Sequence, residues 1–261
     1  MKKDKQKLPD RKEKKKERSS KFGLVLVMDI VLLFLLVCSV VSYARDYTPA
    51  TQTAKTAMYG DGNLLVEETE DYFYFSDETE KEDATGIIFY PGGKIEEDAY
   101  APLLTELAEQ GYEVYLVCMP WRLAVLNKDG AQELIDDHPE IHHWIMMGHS
   151  LGGAMAASYT AEHTEEIEGL ILLAAYSTED LSESGISVLS IYGTEDEVLN
   201  KTKYEKYFSN LPKDTTEYVI EGGNHANYGY YGDQKGDGIA EISREEQIQQ
   251  VMDQIITWRE N

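Results

Sequence analysis

The chain has 261 residues and a formal net charge of −24, from 24 Lys and Arg against 48 Asp and Glu. A body this acidic excludes the basic footprint that nucleic-acid binding needs, and a hydrophobic content of 42% excludes wholesale disorder. Two cysteines, Cys38 and Cys118, exclude a disulfide scaffold and a multi-cysteine metal site.

The charge is unevenly divided along the chain. Residues 1–21 hold 11 Lys and Arg against 4 Asp and Glu, whereas the remaining 240 hold 13 against 44. Residues 22–44 follow the basic tail without a single Lys or Arg. As a helix they reach roughly 34 Å at about 1.5 Å per residue, enough for a hydrocarbon core of about 30 Å. Asp29 interrupts them, at a cost of about 2.5–3.5 kcal/mol if it sits at mid-span. The surrounding Leu, Val, Ile and Phe outweigh that cost. A cleaved signal peptide would use Ser42-Tyr43-Ala44 as its small-residue site, but the basic lead is long for one. A lipoprotein site is disfavoured because Val37 precedes Cys38. The expectation is a transmembrane anchor over 22–44, with 1–21 cytoplasmic by the positive-inside rule and the acidic body extracellular.

Residues 45–60 are polar and rich in Thr and Ala, and read as a linker. The rest, 61–261, reads as one domain. Asn63–Glu68 and Tyr72–Ser76 are short β-type runs suited to an antiparallel edge. Asp77–Thr85 is an acidic surface loop. From Gly86 the pattern alternates. Strands are expected at Gly86–Tyr90, Tyr112–Met119, Trp144–Met147, Leu170–Ala174, Val188–Tyr192 and Glu217–Ile220. Helices are expected at Ala99–Gln110, Ala131–Asp137, Leu151–Glu162, Lys203–Asn210 and Arg244–Arg259. Short apolar strands alternating with helices imply a mostly parallel central sheet with helices on both faces, an α/β fold. No internal repeat is present.

Gly148-His149-Ser150-Leu151-Gly152 is a G-x-S-x-G turn between an expected strand and an expected helix. Such a turn reverses so sharply that side chains at Gly148 and Gly152 would strike backbone, and it leaves Ser150 strained at its tip. A serine hydroxyl needs a base, and the base needs an orienting carboxylate. Of six histidines, only His163 and His225 follow Ser150. His163 ends a helix among acids and reads as a surface residue. His225 directly follows the last expected strand, where a parallel sheet presents its chemistry. Between them Asp196 follows a strand, with Glu195 as its neighbour and rival. Backbone N–H groups of Leu151 and Gly93 are the expected oxyanion donors, with Gly92 as the alternative to Gly93. Trp121 and the loop from Tyr228 to Tyr231 are candidate pocket walls, with ordinary loop packing as the other reading. No motif for a metal, cofactor or nucleotide is present, and nothing in the sequence sets an oligomeric state.

Three motifs carry a resemblance: Gly148-His-Ser-Leu-Gly-Gly153, Gly193-Thr-Glu-Asp196 and Gly222-Gly-Asn-His225. They resemble the α/β-hydrolase superfamily. Tyr90-Pro-Gly-Gly-Lys94, Ala99-Tyr-Ala-Pro102, Met119-Pro120, Tyr231-Gly-Asp-Gln234, Gly236-Asp-Gly238 and Glu245-Glu-Gln247 are similar to a bacterial lidless group often compared with dienelactone hydrolases. The resemblance covers about Gly86 to Trp258. It implies the α/β-hydrolase fold and a Ser150, Asp196, His225 triad. Dienelactone hydrolase relatives use a cysteine where this chain has Ser150, so their activity does not carry over. The expectation is a membrane-anchored serine hydrolase that cleaves a carboxylic ester or similar small-molecule acyl compound through an acyl-enzyme, without a cofactor and without a lid. The alternatives are an acyltransferase on cell-envelope components and a non-catalytic surface binding module of the same fold.

Overall fold

The computed structural model describes residues 11–60, 64–77 and 84–260, in two units that divide between Asp46 and Tyr47. The first unit is a single helix, α1 (Arg11–Arg45). From Phe22 to Arg45 it is long and apolar enough to cross a membrane, and none of that stretch is buried. Its large apolar side chains are exposed from Phe22 to Val41. A helix apolar all round lacks the polar stripe of a surface helix on a soluble core.

The second unit is built on an eight-stranded sheet in the order β1-β2-β4-β3-β5-β6-β7-β8. The strands are β1 (Leu65–Glu68), β2 (Tyr72–Ser76), β3 (Thr85–Tyr90), β4 (Glu113–Val117), β5 (His143–His149), β6 (Ile167–Leu173), β7 (Ser187–Gly193) and β8 (Thr216–Ile220). β1 and β2 form the antiparallel edge, and every pairing from β4 to β8 is parallel. The helices are α2 (Gln52–Ala57), α3 (Ala101–Glu109), α4 (Gly130–Asp137), α5 (Leu151–Glu162), α6 (Lys201–Tyr207) and α7 (Arg244–Arg259).

The central strands read as continuous apolar runs because each face is covered. Ile87, Phe89, Ile145 and Met147 point to a core shared with Leu103, Leu104 and Leu107 of α3 and Ile248, Val251 and Ile255 of α7. Their neighbours Ile88, Tyr90, Trp144 and Met146 point the other way, to Leu134 of α4 and Ala156, Ala157 and Tyr159 of α5. Alternation along each strand thus sorts one sequence run between two cores. At full burial each large apolar side chain contributes about 1.5–3 kcal/mol.

The parallel strands all end along one edge of the sheet. The loops after β3, β5, β7 and β8 therefore open on the same side, and these loops carry Gly93, Ser150, Asp196 and His225. The segment between β6 and β7, residues 174–186, contains neither helix nor strand. It is pinned down by Leu181 N–H to Asn210 O at 2.7 Å and by the Asn210 amide on Ser177 O at 3.2 Å.

Two expectations need correction. Residues 47–60 are not a linker but part of the body. Thr48 bridges Ile95, Ala50 N–H donates to the Glu96 carboxylate at 2.7 Å, and Thr51 N–H donates to Tyr230 O at 2.7 Å. Thr51 caps α2, and Ala54 is fully buried. The short Thr and Ala side chains that made the segment look featureless are what let α2 lie close against the body. The folded unit accordingly begins at Tyr47, not at residue 61. The second correction concerns the Tyr228–Tyr231 loop. Tyr228, Tyr230 and Tyr231 are all buried, members of the α3–α7 core rather than walls of an open entrance. Most of the expected acidic loop at 77–85 lies outside the described residues, as do 61–63 ahead of β1.

Candidate active site

β5 runs directly into Ser150, whose backbone has φ 53° and ψ −119°. A positive φ at a non-glycine residue is costly, and it throws the side chain outward at the tip of the turn. Ser150 N–H donates to Leu173 O at 2.9 Å, which ties the turn to β6. A Cβ on Gly148 would lie 2.7 Å from the Gly152 carbonyl carbon, and one on Gly152 would lie 2.1 Å from Tyr90 O. Both positions must be glycine for helix α5 to start this close to β3.

Asp196 and His225 are brought together at the ends of β7 and β8. His225 Nδ1 lies 2.7 Å from Asp196 Oδ2, and both side chains are almost completely shielded from solvent. The other carboxylate oxygen, Oδ1, accepts N–H bonds from Val198 at 2.9 Å and Leu199 at 2.7 Å. With His225 on Oδ2 and these donors on Oδ1, both oxygens of the buried carboxylate have partners. A carboxylate accepts only, so as its partner Nδ1 would carry the imidazole proton and Nε2 the lone pair. Nε2 is buried and has no hydrogen-bond partner among the described residues. The His225 ring lies 4.6 Å, centroid to centroid, from the ring of His149, the residue before Ser150. No hydrogen bond joins Ser150 to His225.

Glu195 is turned elsewhere. Its carboxylate accepts the Thr194 hydroxyl at 3.0 Å. His163 stacks on Tyr159 with ring centroids 4.2 Å apart, at the far end of α5. Neither residue reaches His225 through a bond that the structure contains.

Gly93 and Leu151 are neighbours: a Cβ on Gly93 would lie 2.9 Å from Leu151 Cδ2. Leu151 opens α5, so its N–H is one of the helix's unsatisfied first-turn amides. Gly92 is different, because its N–H already donates to the Tyr100 hydroxyl at 3.0 Å. Of the two glycines, Gly93 is the one whose amide has no acceptor among the described residues. The loop is held by Lys94 N–H to Arg122 O and Thr48 N–H to Lys94 O, both at 2.8 Å.

Trp121 is 54% exposed and, like Arg122 after it, has a positive φ, 54° and 57° respectively. Arg122 is held by the Tyr47 ring, 3.8 Å from its guanidinium carbon, and by Glu97 at 3.4 Å. Tyr228 lies behind the site, its ring 5.4 Å from that of His149. Burial and the nearby Asp196 push its phenol well above the usual range. Cys118 is half-buried, and burial pushes its thiol up to about 12, far from the range of a reactive thiolate. Among the described residues no group of three or more His, Cys, Asp or Glu could hold a metal ion.

Sequence reasoning missed the groups that hold His225 in place. Gln247 of α7 is fully buried. Its amide accepts from Asn224 N–H at 3.0 Å and donates to Asn224 O at 2.8 Å. Asp237 accepts Ala226 N–H at 2.8 Å and Glu197 N–H at 3.3 Å, linking the histidine loop to the aspartate loop. The signal for Gln247 was available: a glutamine on the apolar face of α7, one turn before Val251.

A model described as the alpha/beta hydrolase family matches residues 86–249. No curated protein matches the sequence. Among solved structures, a predicted CIB-like hydrolase from Thermoplasma acidophilum is 18% identical with a TM-score of 0.55, covering 74% of this chain and 98% of its own. Carboxylesterase CesB from Bacillus subtilis is 10% identical with a TM-score of 0.53, covering 77% and 93%. A membrane phospholipase A, described as a bacterial virulence factor, is 14% identical with a TM-score of 0.58, covering 94% and 100%. At these identities the likeness is one of fold.

Proposed function

The chain belongs to the α/β-hydrolase family, and from that premise we propose that it is a membrane-anchored serine hydrolase acting on carboxylic esters. The observation that carries the reading is the buried His225–Asp196 pair, 2.7 Å apart, beside a serine held at φ 53°. In this reading His225 Nε2 takes the Ser150 proton as the hydroxyl oxygen attacks the ester carbonyl. The N–H groups of Gly93 and Leu151 hold the developing oxyanion. The protonated His225 then gives its proton to the departing alcohol, leaving an acyl-Ser150. Water, deprotonated by the same imidazole, releases the acid and restores the serine. Asp196 keeps the tautomer and stabilises the imidazolium.

The fold likeness to a carboxylesterase and a phospholipase supports an ester substrate over other acyl compounds. The apolar helix from Phe22 to Arg45 supports an anchor, and the lysine-rich residues before it support a cytoplasmic N-terminus with the body outside.

The test is active-site labelling of the full chain with a fluorophosphonate. The expected result is one adduct, on Ser150, together with loss of p-nitrophenyl acetate hydrolysis by roughly 10⁴-fold or more in Ser150→Ala. Unlabelled protein, or turnover preserved in Ser150→Ala, rules the reading out.

A further inference from the structure

His149 and Tyr100 are fully buried and have no part in the reaction as described above. They nevertheless join its two halves. His149 immediately precedes Ser150 in the turn after β5. Tyr100 lies on the 3₁₀ turn Glu97–Tyr100 that leads into α3. The Tyr100 hydroxyl lies 2.8 Å from His149 Nδ1 and accepts the Gly92 N–H at 3.0 Å.

Both side chains in this chain of contacts are uncharged. Burial, and then the neighbouring His225 imidazole, hold His149 well below the usual imidazole range, so it is neutral. Burial pushes the Tyr100 phenol above its ordinary range, so it keeps its proton. The phenol oxygen accepts from Gly92, and a second hydrogen bond joins the hydroxyl to His149 Nδ1. Space here is tightly set. A Cβ on Gly92 would fall 2.6 Å from the Tyr100 hydroxyl and 2.8 Å from His149 Nδ1. The two polar side chains thus abut the loop backbone directly.

Resting on the serine-hydrolase reading, we propose that Tyr100 and His149 are positioning residues: together they form a strut that fixes the Gly92–Gly93 loop to the nucleophile turn. The strut consumes the Gly92 N–H and so decides which glycine serves the oxyanion. Gly93, one residue on, is left with a free amide against Leu151. Because His149 is covalently next to Ser150, serine and oxyanion donors are held in one frame. Oxyanion donors stabilise only when they are already in place as charge develops. Slackening the frame therefore weakens transition-state binding and leaves ground-state ester binding almost unchanged.

The experiment uses the full chain in detergent or vesicles and compares wild type with Tyr100→Phe, His149→Leu and His149→Asn. Asparagine keeps a carbonyl oxygen close to where Nδ1 lies. Steady-state hydrolysis of p-nitrophenyl acetate is read with the inhibition constant of a trifluoromethyl ketone, which mimics the tetrahedral oxyanion. Hydrogen exchange of the Gly92 amide reads the strut without reference to activity. Tyr100→Phe and His149→Leu are expected to lower kcat by about tenfold to hundredfold. Ketone affinity should fall in parallel, KM should stay within roughly twofold, and Gly92 exchange should quicken. His149→Asn should recover most of the loss. A merely structural role lowers the unfolding temperature without pairing kcat to ketone affinity. If wild type labels and turns over, and Tyr100→Phe matches it in kcat and ketone affinity, the positioning role is wrong and the hydrolase reading survives. If wild type neither labels nor turns over, the hydrolase reading fails first, and the positioning role fails with it.

Discussion

His225 Nδ1 and Asp196 Oδ2 meet at 2.7 Å in a place that water does not reach. The carboxylate is held from both ends, since Oδ1 takes the N–H groups of Val198 and Leu199. It therefore acts on the imidazole from one fixed direction. That rigidity separates Asp196 from the many other acids of this chain, and from Glu195 beside it, whose carboxylate is spent on Thr194.

Asp196→Asn is accordingly expected to lower kcat by on the order of 10³–10⁴, because an amide cannot fix the proton on Nδ1 and the wrong tautomer results. Glu195→Gln should stay within a few-fold of wild type. Both variants should unfold near the wild-type temperature. Measured kcat values in the opposite order would transfer the orienting role to Glu195.

Gln247 supports His225 without touching it. Its two bonds run to the backbone of Asn224, the residue before the histidine. Gln247→Leu keeps the volume but strands a buried N–H and a buried C=O, each costing about 1–3 kcal/mol. The expected result is a lowered unfolding temperature together with a fall in kcat. Gln247→Glu keeps the acceptor for Asn224 N–H but sets a carboxylate against Asn224 O, so it should be at least as harmful to folding. A leucine variant with unaltered stability and kcat would show that α7 does not hold the histidine loop.

These two cases mark what the sequence made legible. The Ser150 turn and the meeting of Asp196 with His225 were readable because each residue follows a short apolar strand, and a parallel sheet gathers its strand ends on one edge. β2, α5 and α7 fall where periodicity put them. Gln247 and Tyr100 act through long-range contacts, across 23 and 49 residues of sequence respectively; a glutamine on the apolar face of α7 stands out, but nothing local names the partner of either residue. Residues 47–60 misled for a related reason. Helix α2 is only six residues long, too short for a periodic pattern, and it is held by bonds to Glu96 and Tyr230 that lie far along the chain. The tyrosines from Tyr228 to Tyr231 misled because aromatics just after His225 suit a core and a pocket wall equally well.

Packing of residues 47–60 into the body also changes how topology is best tested. A protease has no slack segment to cut there, so the serine itself is the better reporter. With the body outside, a charged, membrane-impermeant fluorophosphonate should label Ser150 in intact cells expressing the full chain. Labelling should be as complete as after lysis. Labelling that appears only after lysis would reverse the orientation drawn from the lysine-rich end.

The shape of the site predicts its acyl preference. Many enzymes of this fold place a lid between the strands that correspond to β6 and β7. Here residues 174–186 hold no helix or strand, and the segment is tied back to Asn210. The tyrosine loop that might have served as a wall is buried. What remains near the Gly92–Gly93 loop is a small apolar ledge at Trp121, 54% exposed, joined to that loop through Lys94 N–H to Arg122 O. A long acyl chain gains about 0.8 kcal/mol for each CH₂ that it buries, and an open ledge buries few of them. Specificity for p-nitrophenyl esters from two to sixteen carbons should therefore be highest among the short chains and flat or falling beyond. No jump is expected above the micelle threshold, since residues 174–186 form no helical lid that would have to open. Trp121→Ala should cost a few-fold for mid-length chains and little for acetate, because only the former reach the ledge. Specificity that climbs steadily to sixteen carbons, or rises sharply on micelles, would mean that an acyl channel forms which this arrangement of loops does not contain.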